Sequence, residues 1–146
     1  MCDPHATPKA PVPDGQPCRL EDKVAWLRRN LGPGDELLET HFACVLLAGE
    51  RAWKLRRPVR RDPMDYATLE ARRLGAESDV QLNRRLAPGV YLGVRPLTRR
   101  DGEFAIGGDG PVVDWLVEMR RLDRSRMLDV LLARGNVSPR DLAAIA

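Results

Sequence analysis

The sequence predicts an α+β fold: a mostly antiparallel sheet with one long helix packed on it and further helices at its flanks. Three observations support this. Runs of strand-forming residues lie on both sides of a single long helical pattern, and the turns between them are too short for repeated crossovers. The order reads helix, two or three strands, long helix, two or three strands, then helices, which suits one sheet with a helix on one face. With 146 residues, 43% hydrophobic and 31% charged, the chain can bury one core, as a small domain or as part of a larger one.

Residues 1–17 contain five prolines and almost no bulky apolar side chain, so a flexible tail is expected over residues 1–18. Leu20, Val24, Leu27 and Leu31 then fall on one helical stripe, and Gly32-Pro33-Gly34 stops it. Leu37–Ala48 is rich in strand formers, Ala48-Gly49-Glu50-Arg51 is turn-like, and Ala52–Leu55 is extended, which together predict an antiparallel meander. Pro58 and Pro63 bracket an irregular basic connection. Asp65 or Thr68 is placed to cap a long helix reaching Leu86, closed by Ala87-Pro88-Gly89. Strands are expected at Val90–Leu97, Glu103–Ile106 and Val112–Met119, with turns at Arg99–Gly102 and Gly107–Gly110. Ser125–Gly135 reads as helical, and Ser138-Pro139-Arg140-Asp141 as the start of another helix.

Composition excludes several function classes. The longest apolar run, Phe42–Ala48, is far short of the roughly 20 residues that span a bilayer, and the N-terminus has no signal-peptide core. No membrane partner and a cytoplasmic location are therefore expected. Cys2, Cys18 and Cys44 lack metal or redox spacing; Cys2 with His5 is half a metal site at most, with Cys18 and His41 the other soft ligands, so no metal is expected. Arginine pairs recur along the chain, but they straddle helix faces and turns, and aromatics are only 5%. That pattern disfavours nucleic acid as the partner.

Within a net charge of +3 there are only three lysines, Lys9, Lys23 and Lys54, so a strand lysine carries weight. Lys54 shares a strand face with Ala52, while Trp53 and Leu55 share the other. A small residue beside a lone lysine leaves room for a flat ring over the alanine while the ammonium reaches phosphates. Along the long helix, at about 100° per residue, Asp79 falls in the arc of Leu82, Leu86 and Ala76, and Glu77 falls beside Glu70 and Arg84. An acid facing a sheet needs a partner; Lys54 is one, and Arg72 or Arg95 are the alternatives.

Glu39-Thr40-His41, VLLAGERAWKLRRPV at 45–59, Leu69-Glu70, LNRRLAPGVYLGVRPL at 82–97 and EMRRLDRSRMLDVLLARG at 118–135 resemble bacterial aminoglycoside phosphotransferase-like proteins. The resemblance runs from Leu20 to the C-terminus and is closer to the subgroup in which a kinase-like domain is often followed by a P-loop ATPase domain. It implies a kinase-like N-lobe with its hinge over 19–122 and the start of a truncated C-lobe over 123–146. It further implies that Lys54 contacts the α/β-phosphates of ATP, that Asp79 or, second to it, Glu77 orients Lys54, and that Ala52 lines the adenine pocket. The hinge backbone from Met119 through Arg120 and Arg121 to Leu122 would bind adenine.

Several departures from the family pattern bear on activity. Family members usually carry Glu where this chain has Asp79, and no G-x-G-x-x-G joins the first strands, leaving Thr40 and His41 as nearby donors. No histidine follows His41 to form a His-Gly-Asp catalytic loop, none of Asp123, Asp129 and Asp141 has an Asn four or five residues on, and no P-loop motif occurs. No catalytic residue is therefore assigned. The expectation is the nucleotide-binding lobe of an ATP-dependent small-molecule phosphotransferase, inactive alone, with weak or absent ATP binding and with Mg²⁺ held only if a C-lobe is supplied. Its partners would be a nucleotide and a separate C-lobe or P-loop ATPase domain. The rival is a non-catalytic protein-interaction or nucleic-acid-binding module that uses the uncovered cleft face.

Overall fold

A computed structural model describes residues 18–32 and 36–144. The predicted tail, apart from Cys18, and the pairing of Cys2 with His5 lie outside the described residues. Helix α1 (Leu20–Asn30) carries Glu21 and Asp22 in its first turn and Arg28 and Arg29 in its last, each sign opposing the end of the helix dipole it sits on. Strands β1 (Glu36–Glu39), β2 (Ala43–Ala48) and β3 (Arg51–Arg56) form the predicted meander. A small hairpin, β4 (Arg60–Arg61) and β5 (Met64–Asp65), precedes the long helix α2 (Leu69–Asn83). Strands β6 (Tyr91–Arg100), β7 (Glu103–Ile106) and β8 (Val112–Arg120) follow, then a 3₁₀ turn at Arg124–Arg126, α3 (Leu128–Ala133) and α4 (Pro139–Ala143).

The fold is α+β, with one six-stranded antiparallel sheet in the order β1-β2-β3-β8-β6-β7. Period-two alternation sends successive residues of β8 to opposite faces. Leu116 joins Leu27 of α1 with Leu46, Leu55 and Leu97 on one face, while Val117 joins Ala76 and Val80 of α2 on the other. Each fully buried leucine contributes about 2 kcal/mol of transfer free energy. Helices thus cover both faces, where the sequence reading placed one: the Leu20, Val24 and Leu27 stripe packs against the face that α2 leaves open.

Other boundaries shift for physical reasons. Thr68 is the N-cap of α2, accepting from the Ala71 N–H, and Asp65 instead accepts from the Ala67 N–H within the preceding turn. The helix ends at Asn83 rather than Leu86, and Leu82 and Leu86 are exposed. Its buried side is Arg72, Ala76 and Val80, a stripe that counting apolar residues alone misses because Arg72 belongs to it. Strand β6 runs on to Arg100, because the turn proper is only Asp101-Gly102, both at positive φ, a two-residue hairpin. The expected helix at 125–135 begins as a 3₁₀ turn, whereas Ser138 and Asp141 form a reciprocal capping box at α4. No helix among the described residues is long and apolar enough to cross a membrane.

A buried charge cluster fastens the two helices to β8. The pairing of β3 with β8 ends at Leu55 and Leu116, and Asp114 lies just past that point, fully buried. Lys23 of α1 approaches it from one side, Nζ to Oδ2 2.7 Å, and Arg72 of α2 from the other, Nε to Oδ1 2.8 Å. The Trp115 N–H also donates to Oδ1 at 3.0 Å. Of the two lysines among the described residues, Lys23 is therefore structural.

Candidate functional site

Alternation along β3 puts Ala52, Lys54 and Arg56 on the face that α2 covers. Ala52 stands opposite Leu47 and Met119, and Lys54 opposite Val45 and Val117. The expected ion pair forms: Lys54 Nζ lies 2.8 Å from Asp79 Oδ2, with both side chains partly exposed. Arg56 takes the other oxygen, its guanidinium 2.8 Å from Oδ1, with only 8% of its side chain exposed. Asp79 thus bridges two cations. One carboxylate between them leaves a net positive charge, and Lys54 is the more exposed of the two.

The Arg56 guanidinium is held on two further sides. It donates to the Gly75 carbonyl at 3.1 Å and stacks 4.3 Å from the centre of the Tyr66 ring, which forms a T-shaped pair with Phe42. Glycine at 75 is required by this approach. A Cβ there would lie 2.8 Å from Arg56 Nε and 2.9 Å from the Tyr66 ring.

Beside Ala52 opens a cavity of about 720 Å³, within the range of small-molecule sites. Val45, Leu47, Ala52, Tyr91, Met119 and Leu122 supply its apolar lining, and Arg120, Arg121 and Arg124 line it where the chain leaves β8. Lys54 continues the Ala52 face, two residues along the strand towards Asp79. Burial pushes the Tyr91 hydroxyl above its ordinary pKa, and the nearby Asp79 carboxylate adds to the effect. Part of the backbone expected to serve as the hinge is already committed. The Arg120 N–H donates to the Val90 carbonyl and the Arg121 N–H to the Glu50 carbonyl, each at 2.8 Å.

Other expected participants sit elsewhere. Glu77 does not orient Lys54; it pairs with Arg73 at 2.6 Å on the exposed side of α2, on the far side from the sheet. Arg72 and Arg95, the alternative partners of Asp79, bind Asp114 and Glu118 instead. The Thr40 hydroxyl donates to the Ala43 carbonyl and accepts from the Ala43 N–H, closing the β1–β2 turn, and His41 is an exposed bend residue. The basic segment after Lys54 is largely paired, Arg57 with Glu39 and Arg60 with Asp65. Among the described residues no group of three His, Cys, Asp or Glu side chains is placed to hold a metal ion.

Sequence reasoning missed Arg56 and Tyr91. A signal for Arg56 was present, since strand alternation places it on the Lys54 face. Tyr91 was hidden because its role depends on the antiparallel register with Met119.

No family model and no solved structure matches the chain. Uncharacterized proteins of Mycobacterium tuberculosis (strain H37Rv) and Mycobacterium bovis are each 38% identical to it over 101 residues, 69% of this chain. The match spans 19% of each relative, so the chain corresponds to about a fifth of the length of these curated bacterial proteins.

Proposed function

We propose that the chain is the nucleotide-binding lobe of an aminoglycoside phosphotransferase-like protein, with ATP phosphates at Lys54 and the adenine ring in the cavity beside Ala52. The observation that carries this reading is the Lys54–Asp79 contact of 2.8 Å on the same strand face as an apolar cavity of about 720 Å³. A flat ring fits against a small residue such as Ala52, and the net positive charge at Lys54, Arg56 and Asp79 favours a polyanion at that end. Lys54 would bind and orient phosphate. Deprotonating an acceptor hydroxyl and holding Mg²⁺ would fall to residues of another lobe, and the greater length of the mycobacterial relatives leaves room for one.

Calorimetric titration of ATP into the protein tests this, with weak binding expected and a loss of about tenfold or more in Lys54→Met. Lys23→Met serves as the control, because Lys23 is buried at Asp114 and should leave ATP affinity unchanged. Equal ATP affinity in wild type and Lys54→Met would remove the proposal. No phosphate transfer to aminoglycosides is expected from this chain alone. A second reading, a protein-interaction module, draws on Leu128 and Leu132, one helical turn apart on α3, and Leu142 on α4, all of which are exposed. Concentration-independent monomer behaviour in gel filtration would count against self-association through those leucines.

A further inference from the structure

The structure assigns Arg56 as a positioning residue that holds the Asp79 carboxylate against Lys54. Its value for ligand binding rests on the proposed nucleotide site. Asp79 has one methylene fewer than glutamate, so it reaches less far from α2 and needs a second anchor to stay at Lys54. Arg56 supplies that anchor across one turn of helix. Its guanidinium donates to the Gly75 carbonyl and contacts Asp79 Oδ1, and residues four apart lie on one side of a helix. Bonding to the backbone of one position and the side chain of the other fixes where Asp79 sits along β3.

Three features keep the clamp in place. Tyr66 stacks on the guanidinium, Gly75 makes the space for it, and burial of Arg56 keeps it from reaching a ligand in the cleft. Lys54, with 25% of its side chain exposed, remains the group that can meet an anion. The clamp also alters the charge. A lone lysine–carboxylate pair is neutral, whereas this trio keeps one net positive charge, so an anion can bind Lys54 without displacing Asp79.

The test uses the small number of lysines. Mass spectrometry after timed treatment with an acylating reagent gives the labelling rate of Lys54 in the ligand-free protein, and ATP titration gives affinity separately. Arg56→Met is expected to raise the Lys54 labelling rate about fivefold to tenfold and to weaken ATP binding by a similar factor. Asp79→Glu added to Arg56→Met should restore slow labelling, because the longer acid reaches Lys54 unaided; a purely packing role for Arg56 gives no such rescue. If Arg56→Met fails to fold, Arg56→Lys, which keeps the charge but loses the forked donor, must show the same rise and the same rescue. Unchanged labelling in the folded Arg56 variant, or no rescue by Asp79→Glu, overturns the assignment. Slow labelling that responds as expected in a protein that binds no ATP would retain the clamp and reject the nucleotide site.

Discussion

Replacing Asp114 by Asn probes the strongest electrostatic commitment in the fold. The change preserves shape but removes the charge shared by Lys23 and Arg72, whose side chains are 6% and 8% exposed. Breaking a buried ion pair by neutralising one partner costs about 3–5 kcal/mol, since the remaining charge stays desolvated. Here two cations lose one acceptor, but an amide oxygen can still accept from one of them, which places the cost at about 3–4 kcal/mol. At roughly 4 °C per kcal/mol for a domain of this size, the melting temperature should fall by about 12–16 °C. Lys23→Met should cost less, about 2 kcal/mol, because Asp114 keeps Arg72 and the Trp115 N–H. Arg72→Met should cost more than Lys23→Met, since Arg72 also donates to the Tyr66 and Ala67 carbonyls at 3.1 and 3.0 Å. Urea melts of the three variants and a double-mutant cycle between positions 23 and 72 give these values. A loss below about 1 kcal/mol in Asp114→Asn would refute the view that this carboxylate carries the two buried cations.

Two further predictions concern the cleft. Gly75→Ala should lose about 1–3 kcal/mol by overpacking, because the new methyl meets Arg56 and the Tyr66 ring, and it should also raise the Lys54 labelling rate; a thermal melt and the acylation assay check both. Tyr91 has its pKa raised above 10.0 in the folded state, so its stabilising contribution is complete below pH 10 and is lost as pH rises through the folded value. Melts between about pH 9 and pH 11 should therefore fall more steeply for wild type than for Tyr91→Phe, and equal slopes would contradict the burial argument.

The elements most legible in the sequence were those whose signals are local. The Ala48–Arg51 turn, the β7 segment, the Thr68 cap and the Ser138 capping box depend on residues within a few positions of each other. Lys54 and Asp79 were also legible, because strand and helix periodicity each place one of them towards the other. What escaped was set by pairing at a distance. Lys23 and Asp114 are ninety-one positions apart and meet only because β3 stops short of Asp114, leaving a gap where helices from both faces converge. Helical periodicity placed Leu82 and Leu86 in the α2 stripe, although both are exposed, and offered Arg72 as a partner for Asp79, whereas its charge is satisfied inside at Asp114. Glu77, the second candidate the family resemblance implied, is lost by geometry, since Arg73 holds it on the outer side of the helix.

Helix α2 is anchored along its whole length. Near its start Arg72 binds Asp114 on β8, in its middle Gly75 and Asp79 are held by Arg56 on β3, and at its end Arg84 donates to the Tyr91 and Leu92 carbonyls of β6. Three strands therefore fix one helix, and the position of Asp79 relative to Lys54 follows from the sheet rather than from a mobile element. In kinase-like cleft chemistry such a pair must be in place before phosphate is bound productively. Under the nucleotide-binding reading proposed above, the pair is already formed and no helix movement is needed to engage an anion, so the ordering cost of binding would fall on the ligand and on the exposed segment after Arg120. Hydrogen exchange should accordingly show α2 amides protected to the same degree with and without ATP, while any ligand-dependent protection appears between Arg121 and Ala133. Slow exchange of α2 gained only on ATP addition would mean that the three anchors do not hold the helix in the free protein.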